Sequence, residues 1–112
     1  HPLINYRNMP LRGLYELTRL VSHLKSALDK VQVPTCIVQA TDDHVVDPKS
    51  ASIAYDKIPH PVKELHWIDS DRHGILNEDI GDTHQVVMSF LARIDQECTA
   101  PAPALPTAAS AA

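Results

Sequence analysis

The sequence predicts an α/β fold with a parallel sheet, and this prediction depends on two apolar runs separated by one helix-like segment. The first run is Thr35–Ala40 and the second is Val62–Ile68. Strand, helix, strand and helix with short connections form a βαβα unit, in which the crossover is right-handed and the strands are parallel. Their carboxyl ends then lie at one edge of the sheet, where open α/β sheets place ligands and catalytic residues.

A further helix is predicted before the first strand. From Leu11 to about Lys30, apolar residues recur at three- and four-residue spacing, while the opposite face is polar. The apolar positions are Leu14, Leu17, Leu20, Val21, Leu24 and Leu28. Because this helix is amphipathic, we expect its apolar stripe to cover another apolar surface.

The two predicted strands differ in their patterns. Thr35–Ala40 is apolar almost throughout, which is typical of a parallel strand that is covered on both faces. Val62–Ile68 alternates more clearly between apolar and polar residues, so we expect it to lie nearer an edge of the sheet.

Two more helices are predicted, one after each strand. The first should begin with Asp47 as its N-cap and Pro48 in its first turn, because these residue types suit those positions. The second should span about Asp82–Gln96, with Asp79 or Asp82 as its cap.

Length and composition limit the function. The chain has 112 residues, enough for one small domain, which we expect at residues 1–97. Residues 98–112 are nearly all Ala, Pro, Thr and Ser, and we expect a disordered tail there.

A net charge of −4 and scattered basic residues argue against a nucleic-acid partner. No apolar run approaches the ~20 residues of a transmembrane segment. No signal peptide is visible, so a cytoplasmic location is expected. Because the chain begins with His1, we expect an N-terminal part to be missing.

Neither a metal nor a cofactor is expected. Seven histidines are present, and three of them can be combined on paper with acidic residues that follow the strands. These residues are His44, His66 and His73, with Asp42, Asp43 or Asp69. No H-x-x-x-H or C-x-x-C spacing occurs, however, and His66 lies in a predicted strand. The two cysteines do not indicate a disulfide framework.

The residues suited to catalysis follow the two predicted strands. Loop A, Thr41–Pro48, is acidic and follows the first strand, and loop B, Asp69–Gly74, follows the second. Neighbouring strands lie about 4.8 Å apart, so a carboxylate from loop A can meet an imidazole from loop B. Such a carboxylate orients the imidazole, fixes its tautomer and stabilises the imidazolium formed during proton transfer. Asp43 and His73 form the candidate pair, and Asp42 is the competing acid.

These segments resemble the C-terminal part of the α/β-hydrolases, in particular the bacterial carboxylesterase and monoacylglycerol-lipase-like branch. The similarity extends over about residues 6–95 and includes a helix leading out of the cap, two strands with their loops, and the terminal helix. The residues that carry it are Leu11–Lys30, Pro34–Ala40, Asp43, Val46, Asp47, Pro48, Lys63–Trp67, His73, Phe90 and Leu91.

The resemblance implies roles for two residues. In this family the nucleophile, acid and base follow one another along the chain. Asp43 would be the acid of a Ser-His-Asp triad and His73 the general base. Asp43 is preferred to Asp42 because its distance from Ala40 along the chain matches the loop spacing of the family.

The chain departs from the family pattern in two ways. Asp71-Arg72 stands where the family commonly has Ser-Gly before the histidine. A nucleophile elbow of the form G-x-S-x-G is absent, because no serine lies between suitably spaced glycines, and no HGGG-type oxyanion loop occurs. We therefore expect a C-terminal fragment whose nucleophilic serine belongs to the missing N-terminal part.

The expected function is hydrolysis of a carboxylic ester by acyl transfer, as part of a serine carboxylesterase or lipase. The expected partners are a small-molecule ester with an apolar acyl chain and the missing N-terminal part of the same hydrolase. The helix that begins at Leu11 would border the acyl pocket. The alternative is a non-catalytic α/β interaction or structural module, or a fragment that is inactive on its own.

Overall fold

The computed structural model describes residues 8 and 10–99. Helix α1 and a short 3-10 turn come first, and the βαβα unit follows, so the predicted order of elements is confirmed. The bounds are α1 Leu11–Ala27, the 3-10 turn Leu28–Lys30, β1 Thr35–Ala40, α2 Lys49–Lys57, β2 Lys63–Ile68 and α3 Thr83–Thr99.

The sheet that the described residues form consists of β1 and β2, which are parallel as predicted. Their register sets Thr35 opposite Lys63 and Ala40 opposite Ile68. Both strands therefore end at the same level, and loops A and B leave the sheet side by side.

The two helices of the βαβα unit lie on opposite faces of the sheet. On one face, Lys63 Nζ donates hydrogen bonds to the carbonyls of Tyr55 and Ile58, in and just after α2, at 2.7 and 3.1 Å. On the other face, Arg93 of α3 forms an ion pair with Glu64. Both helices also contact β1, which is thus covered on both faces as its apolar pattern predicted, although most of its residues are half-buried.

A small hydrophobic core lies at the carboxyl end of the strands. Ala40, Ile68 and Ile75 are buried together, and Val38 and Ile80 pack against them. Full burial of one aliphatic side chain stabilises a fold by about 1.5–3 kcal/mol. Because Ala40 directly precedes loop A and Ile75 directly follows loop B, this core fixes the ends of both loops.

Aspartate side chains accept hydrogen bonds at the start of both helices of the unit. Asp47 Oδ1 accepts a hydrogen bond from Lys49 N at 3.0 Å, so Asp47 contacts the start of α2 as expected, but Pro48 occupies the N-cap position and α2 begins one residue later than predicted. At α3, Asp79 Oδ1 accepts a hydrogen bond from His84 N at 3.2 Å, so Asp79 provides the side-chain cap. Helix α3 continues to Thr99, so the first two residues of the predicted disordered tail are helical, and the remaining tail residues lie outside the described residues.

Helix α1 is present where it was predicted, but none of its residues is buried. The expected covering of its apolar stripe is not found within the described residues. Near its C-terminal end, residues including Val21 and Leu24 line a groove of about 380 Å³ together with Ile53 and Ala54 of α2. Periodicity shows that a helix face is apolar, but it does not show which segment will cover that face.

Among the described helices, none combines the length with the apolar character that crossing a membrane requires.

Candidate active site

Loops A and B are joined by backbone hydrogen bonds beyond the ends of the strands. Thr41 N donates to the carbonyl of Ile68 at 2.9 Å, and Asp42 N donates to the carbonyl of Ser70 at 3.0 Å. The parallel ladder thus continues into both loops, and the side chains that follow are brought to one place.

Asp43 and His73 meet at this edge of the sheet. The Nδ1 atom of His73 lies 2.8 Å from Oδ2 of Asp43. The Asp43 side chain is 3% exposed, whereas that of His73 is 52% exposed. An ionised carboxylate can only accept hydrogen bonds, so Nδ1 carries the proton that is shared with Asp43. Nε2 is then the ring nitrogen that remains for proton transfer at the accessible side.

The Asp43 carboxylate is held by three further donors. Oδ1 accepts hydrogen bonds from the backbone N–H groups of Val45 and Val46, at 2.8 and 3.0 Å. Oδ2 accepts a hydrogen bond from Nε2 of Gln39 at 3.2 Å, in addition to the one from His73. With both oxygens engaged, the carboxylate has a fixed orientation toward the imidazole.

These contacts favour the ionised carboxylate. The hydrogen bond from His73 holds the pKa of Asp43 well below its ordinary value. Desolvation of the carboxyl group opposes this effect, and the N–H groups of Val46, Val45 and Gln39 reinforce it. Asp43 is consequently charged at neutral pH.

Asp42, the competing acid, has a different position. Its backbone takes part in the extended ladder to Ser70, while the residue itself is exposed. Within residues 10–99 the carboxylate that contacts His73 is that of Asp43. The structure therefore brings together the two residues that were selected from the sequence.

Arg72, which departs from the family pattern, points its guanidinium toward Glu78. Its Nε and Nη2 atoms donate to the two carboxylate oxygens of Glu78 at 3.0 and 3.1 Å. Arg72 N also donates to the hydroxyl of Ser70 at 3.0 Å. The added cation is thus paired with the Glu78 carboxylate, and the bidentate contact links the loop that carries His73 to the segment that follows it.

Gln39 is a site residue that the sequence interpretation missed. It is the one amide side chain in an otherwise largely apolar strand, and it lies four residues before Asp43. A polar side chain near the end of a buried parallel strand could have indicated this role, because such a group needs a hydrogen-bond partner.

Of the three histidines that were considered as metal ligands, His73 contacts Asp43, but in the described part of the chain no group of three potential ligands includes a residue of loop A or loop B. His66 instead lies 2.9 Å from a carboxylate oxygen of Glu64, also in β2. No serine of that part donates a hydrogen bond to His73.

A parallel βαβα unit with a carboxylate after one strand and a hydrogen-bonded histidine after the next is the arrangement found at the C-terminal end of α/β-hydrolases. Comparison with known proteins agrees with this class. The family described as serine aminopeptidase, S33, matches residues 1–80. The chain therefore belongs to this family of α/β-hydrolases.

Two known hydrolases are similar in sequence to this chain. The chain is 31% identical over 91 residues to a carboxylesterase of Bacillus subtilis (strain 168), an alignment that covers 80% of this chain and 37% of the relative. It is 32% identical over 68 residues to a thermostable monoacylglycerol lipase of Bacillus sp. (strain H-257), and this alignment covers 61% of this chain and 27% of the lipase. The matched parts of the chain thus span 37% of the length of the first relative and 27% of the second.

Proposed function

We propose that this chain provides the acid and the general base of a serine hydrolase that cleaves carboxylic esters. The observation that carries the proposal is the hydrogen bond between Nδ1 of His73 and the shielded, ionised carboxylate of Asp43. The nucleophilic serine would come from a segment on the N-terminal side of these 112 residues, because the family order is nucleophile, acid and base.

In the proposed reaction His73 moves two protons. Its Nε2 takes the proton of the serine hydroxyl as the serine oxygen attacks the ester carbonyl, and it then gives that proton to the departing alcohol. In the second half, the same nitrogen takes a proton from water as the water oxygen attacks the acyl-serine, and it gives that proton to the departing serine oxygen as the acid is released. Asp43 holds the ring in the tautomer that leaves Nε2 free to accept, and it stabilises the imidazolium in both halves.

The choice of esters over peptides is supported by the relatives and by the groove. The family description names an aminopeptidase, but both relatives are named as enzymes of ester substrates, a carboxylesterase and a lipase. The groove between α1 and α2 exposes mostly apolar surface, with Val21, Leu24 and Ile53 in its lining, while Lys25, Asp47, Lys49 and Ser50 also line it. Such a lining suits an acyl chain better than a charged amino terminus.

The coding sequence upstream of His1 provides the first test, since the proposal requires a G-x-S-x-G motif there. The complete protein is then assayed with p-nitrophenyl butyrate and, in parallel, with alanine p-nitroanilide. We expect turnover of the ester, and we expect His73→Ala and Asp43→Asn to lower kcat by about 10³–10⁴-fold.

Two control variants each remove a carboxylate or an imidazole that does not belong to the Asp43–His73 pair. Asp42→Asn removes a neighbouring carboxylate of loop A, and His84→Gln removes a histidine that is bonded to Asp79 and the Leu76 carbonyl. Both should retain ester turnover. Undiminished turnover in His73→Ala, with a serine that still reacts with a fluorophosphonate, would refute the proposal. Absence of the upstream motif would favour a non-catalytic module.

A further inference from the structure

A second group of reactive side chains lies within the sheet, on the face that α3 covers. The register sets Cys36 opposite Glu64, and His66 follows two residues later in β2, so all three side chains project from the same face. One potential ligand atom from each of them lies within 4.8 Å of the other two. All three residues are half-buried, and Cys36 is a free thiol.

These residue types are the usual ligands of zinc. A thiolate, an imidazole nitrogen and a carboxylate oxygen bind Zn²⁺ at about 2.0–2.3 Å, and a tetrahedral site with three protein ligands leaves the fourth position to water. Such bond lengths require ligand atoms about 3.3–3.8 Å apart. Small rotations of the side chains would therefore be enough to close the present arrangement around one ion.

The existing hydrogen bonds are compatible with an inserted cation. Nε2 of His66 lies 2.9 Å from one carboxylate oxygen of Glu64, and Arg93 pairs with the other oxygen. A cation between His66 and Glu64 would replace a single hydrogen bond, and Arg93 could stay in place as an outer partner that orients the carboxylate. The positive charge of Arg93 works against a divalent cation and reduces its affinity.

We propose that Cys36, Glu64 and His66 form a zinc-binding site that is separate from the Asp43–His73 pair. Neither a helical H-x-x-x-H spacing nor a C-x-x-C turn is needed, because the parallel pairing of β1 and β2 brings the ligands together.

Titration of the reduced 112-residue chain with Co²⁺, without a histidine tag, tests this site. We expect one equivalent of Co²⁺ to produce a thiolate-to-cobalt charge-transfer band in the near ultraviolet, and we expect Zn²⁺ to remove that band by competition. Cys36→Ser should abolish the band. Cys98→Ser removes the exposed cysteine of α3 and should leave the band unchanged.

The other two ligands are tested by the affinity for Zn²⁺. Glu64→Gln and His66→Gln should each weaken binding by about tenfold or more, whereas His23→Gln, on the exposed face of α1, should bind as the wild type does. Lack of the charge-transfer band in the wild-type chain overturns the proposal, and this result does not depend on the folding of any variant. A band that persists in Cys36→Ser, or one that is lost in Cys98→Ser, also overturns it.

Discussion

Asp43 and His73 are 30 residues apart in the sequence, yet Oδ2 of one lies 2.8 Å from Nδ1 of the other. The backbone sets this distance, because the register of β1 and β2 continues into the loops through the hydrogen bond between Asp42 N and the Ser70 carbonyl. In the proposed reaction, an acid and a base held by a sheet would need little rearrangement before they act, which is the condition for efficient proton transfer.

The contribution of Asp43 to stability should depend on pH. The pKa of this carboxyl group is lower in the folded chain than its ordinary value of 3.8, chiefly because of the hydrogen bond from His73. A group whose pKa is lowered by folding stabilises the fold above the ordinary value and loses that effect as the pH falls through the folded-state pKa. The difference in free energy of unfolding between wild type and Asp43→Asn should therefore shrink as the pH falls below 3.8.

Urea unfolding monitored by circular dichroism at a series of pH values measures this difference. Asp42→Asn is the matched control, since it removes a carboxylate from the same loop and keeps the bond to His73. A difference between wild type and Asp43→Asn that stays constant, or grows, across the acid range would contradict the assignment.

Gln39 should act as a positioning residue for Asp43. Gln39→Leu removes the donor that lies 3.2 Å from Oδ2, so the pKa of Asp43 should rise toward 3.8. In the complete enzyme, kcat should fall about tenfold with KM unchanged, which corresponds to the loss of one hydrogen bond to a charged group. Thr35→Val, which removes a hydroxyl at the other end of β1, should alter neither quantity.

Carbon NMR of the Asp43 carboxyl group follows the first effect directly in the 112-residue chain. An unchanged titration of Asp43 in Gln39→Leu would show that the amide does not influence the site.

The pair formed by Arg72 and Glu78 should contribute little to global stability. Its geometry is bidentate, but the two side chains are 60% and 43% exposed, so solvent and salt screen the attraction. A double-mutant cycle with Arg72→Ala and Glu78→Ala should give a coupling energy of about 0.2–1 kcal/mol at low salt, and less at high salt. A coupling above ~2 kcal/mol, or one that is insensitive to salt, would contradict this estimate.

Gly81 should tolerate no side chain without a loss of stability. Its φ is +62°, and an added Cβ would lie 3.3 Å from Cγ2 of the buried Ile68. Gly81→Ala should therefore lower the free energy of unfolding by about 1–2 kcal/mol. Gly13→Ala is the control, because Gly13 lies within α1 and its added Cβ would make only ordinary contacts with Pro10.

Chemical denaturation compares the two alanine variants. The control should be neutral or stabilising by up to about 1 kcal/mol, since alanine favours a helix over glycine. Equal effects of the two substitutions would show that the positive φ at Gly81 costs nothing.

The strands and the approach of Asp43 to His73 could be predicted from the sequence, because the residue pattern of each strand and its loop agreed with a parallel βαβα arrangement. Strand β1 begins and ends at the predicted residues, with Pro34 before it and an acidic loop after it. Once the strands were taken as parallel neighbours, Asp43 and His73 had to approach each other at the same edge. The family resemblance then favoured Asp43 over the adjacent Asp42.

Features that depend on specific contacts across the structure could not be predicted in the same way. Hydrophobic periodicity does not identify a partner surface, and α1 accordingly exposes a stripe that was expected to be covered. The contact of Gln39 with Asp43 depends on the direction of one side chain. The proximity of Cys36 to His66 depends on the register, which the sequence of either strand alone does not define.

The shared end of the two strands makes this edge sensitive to misalignment. A slip of two residues between parallel strands returns each side chain to its original face, so much of the apolar burial would survive. It would nevertheless displace Asp43 by about 6.6 Å along the strand direction, too far for a hydrogen bond to His73. Such molecules would show a normal helix and strand content while lacking a working acid–base pair. The hydrogen bond between Asp43 and His73 is therefore a stricter measure of correct folding than any spectrum of secondary structure.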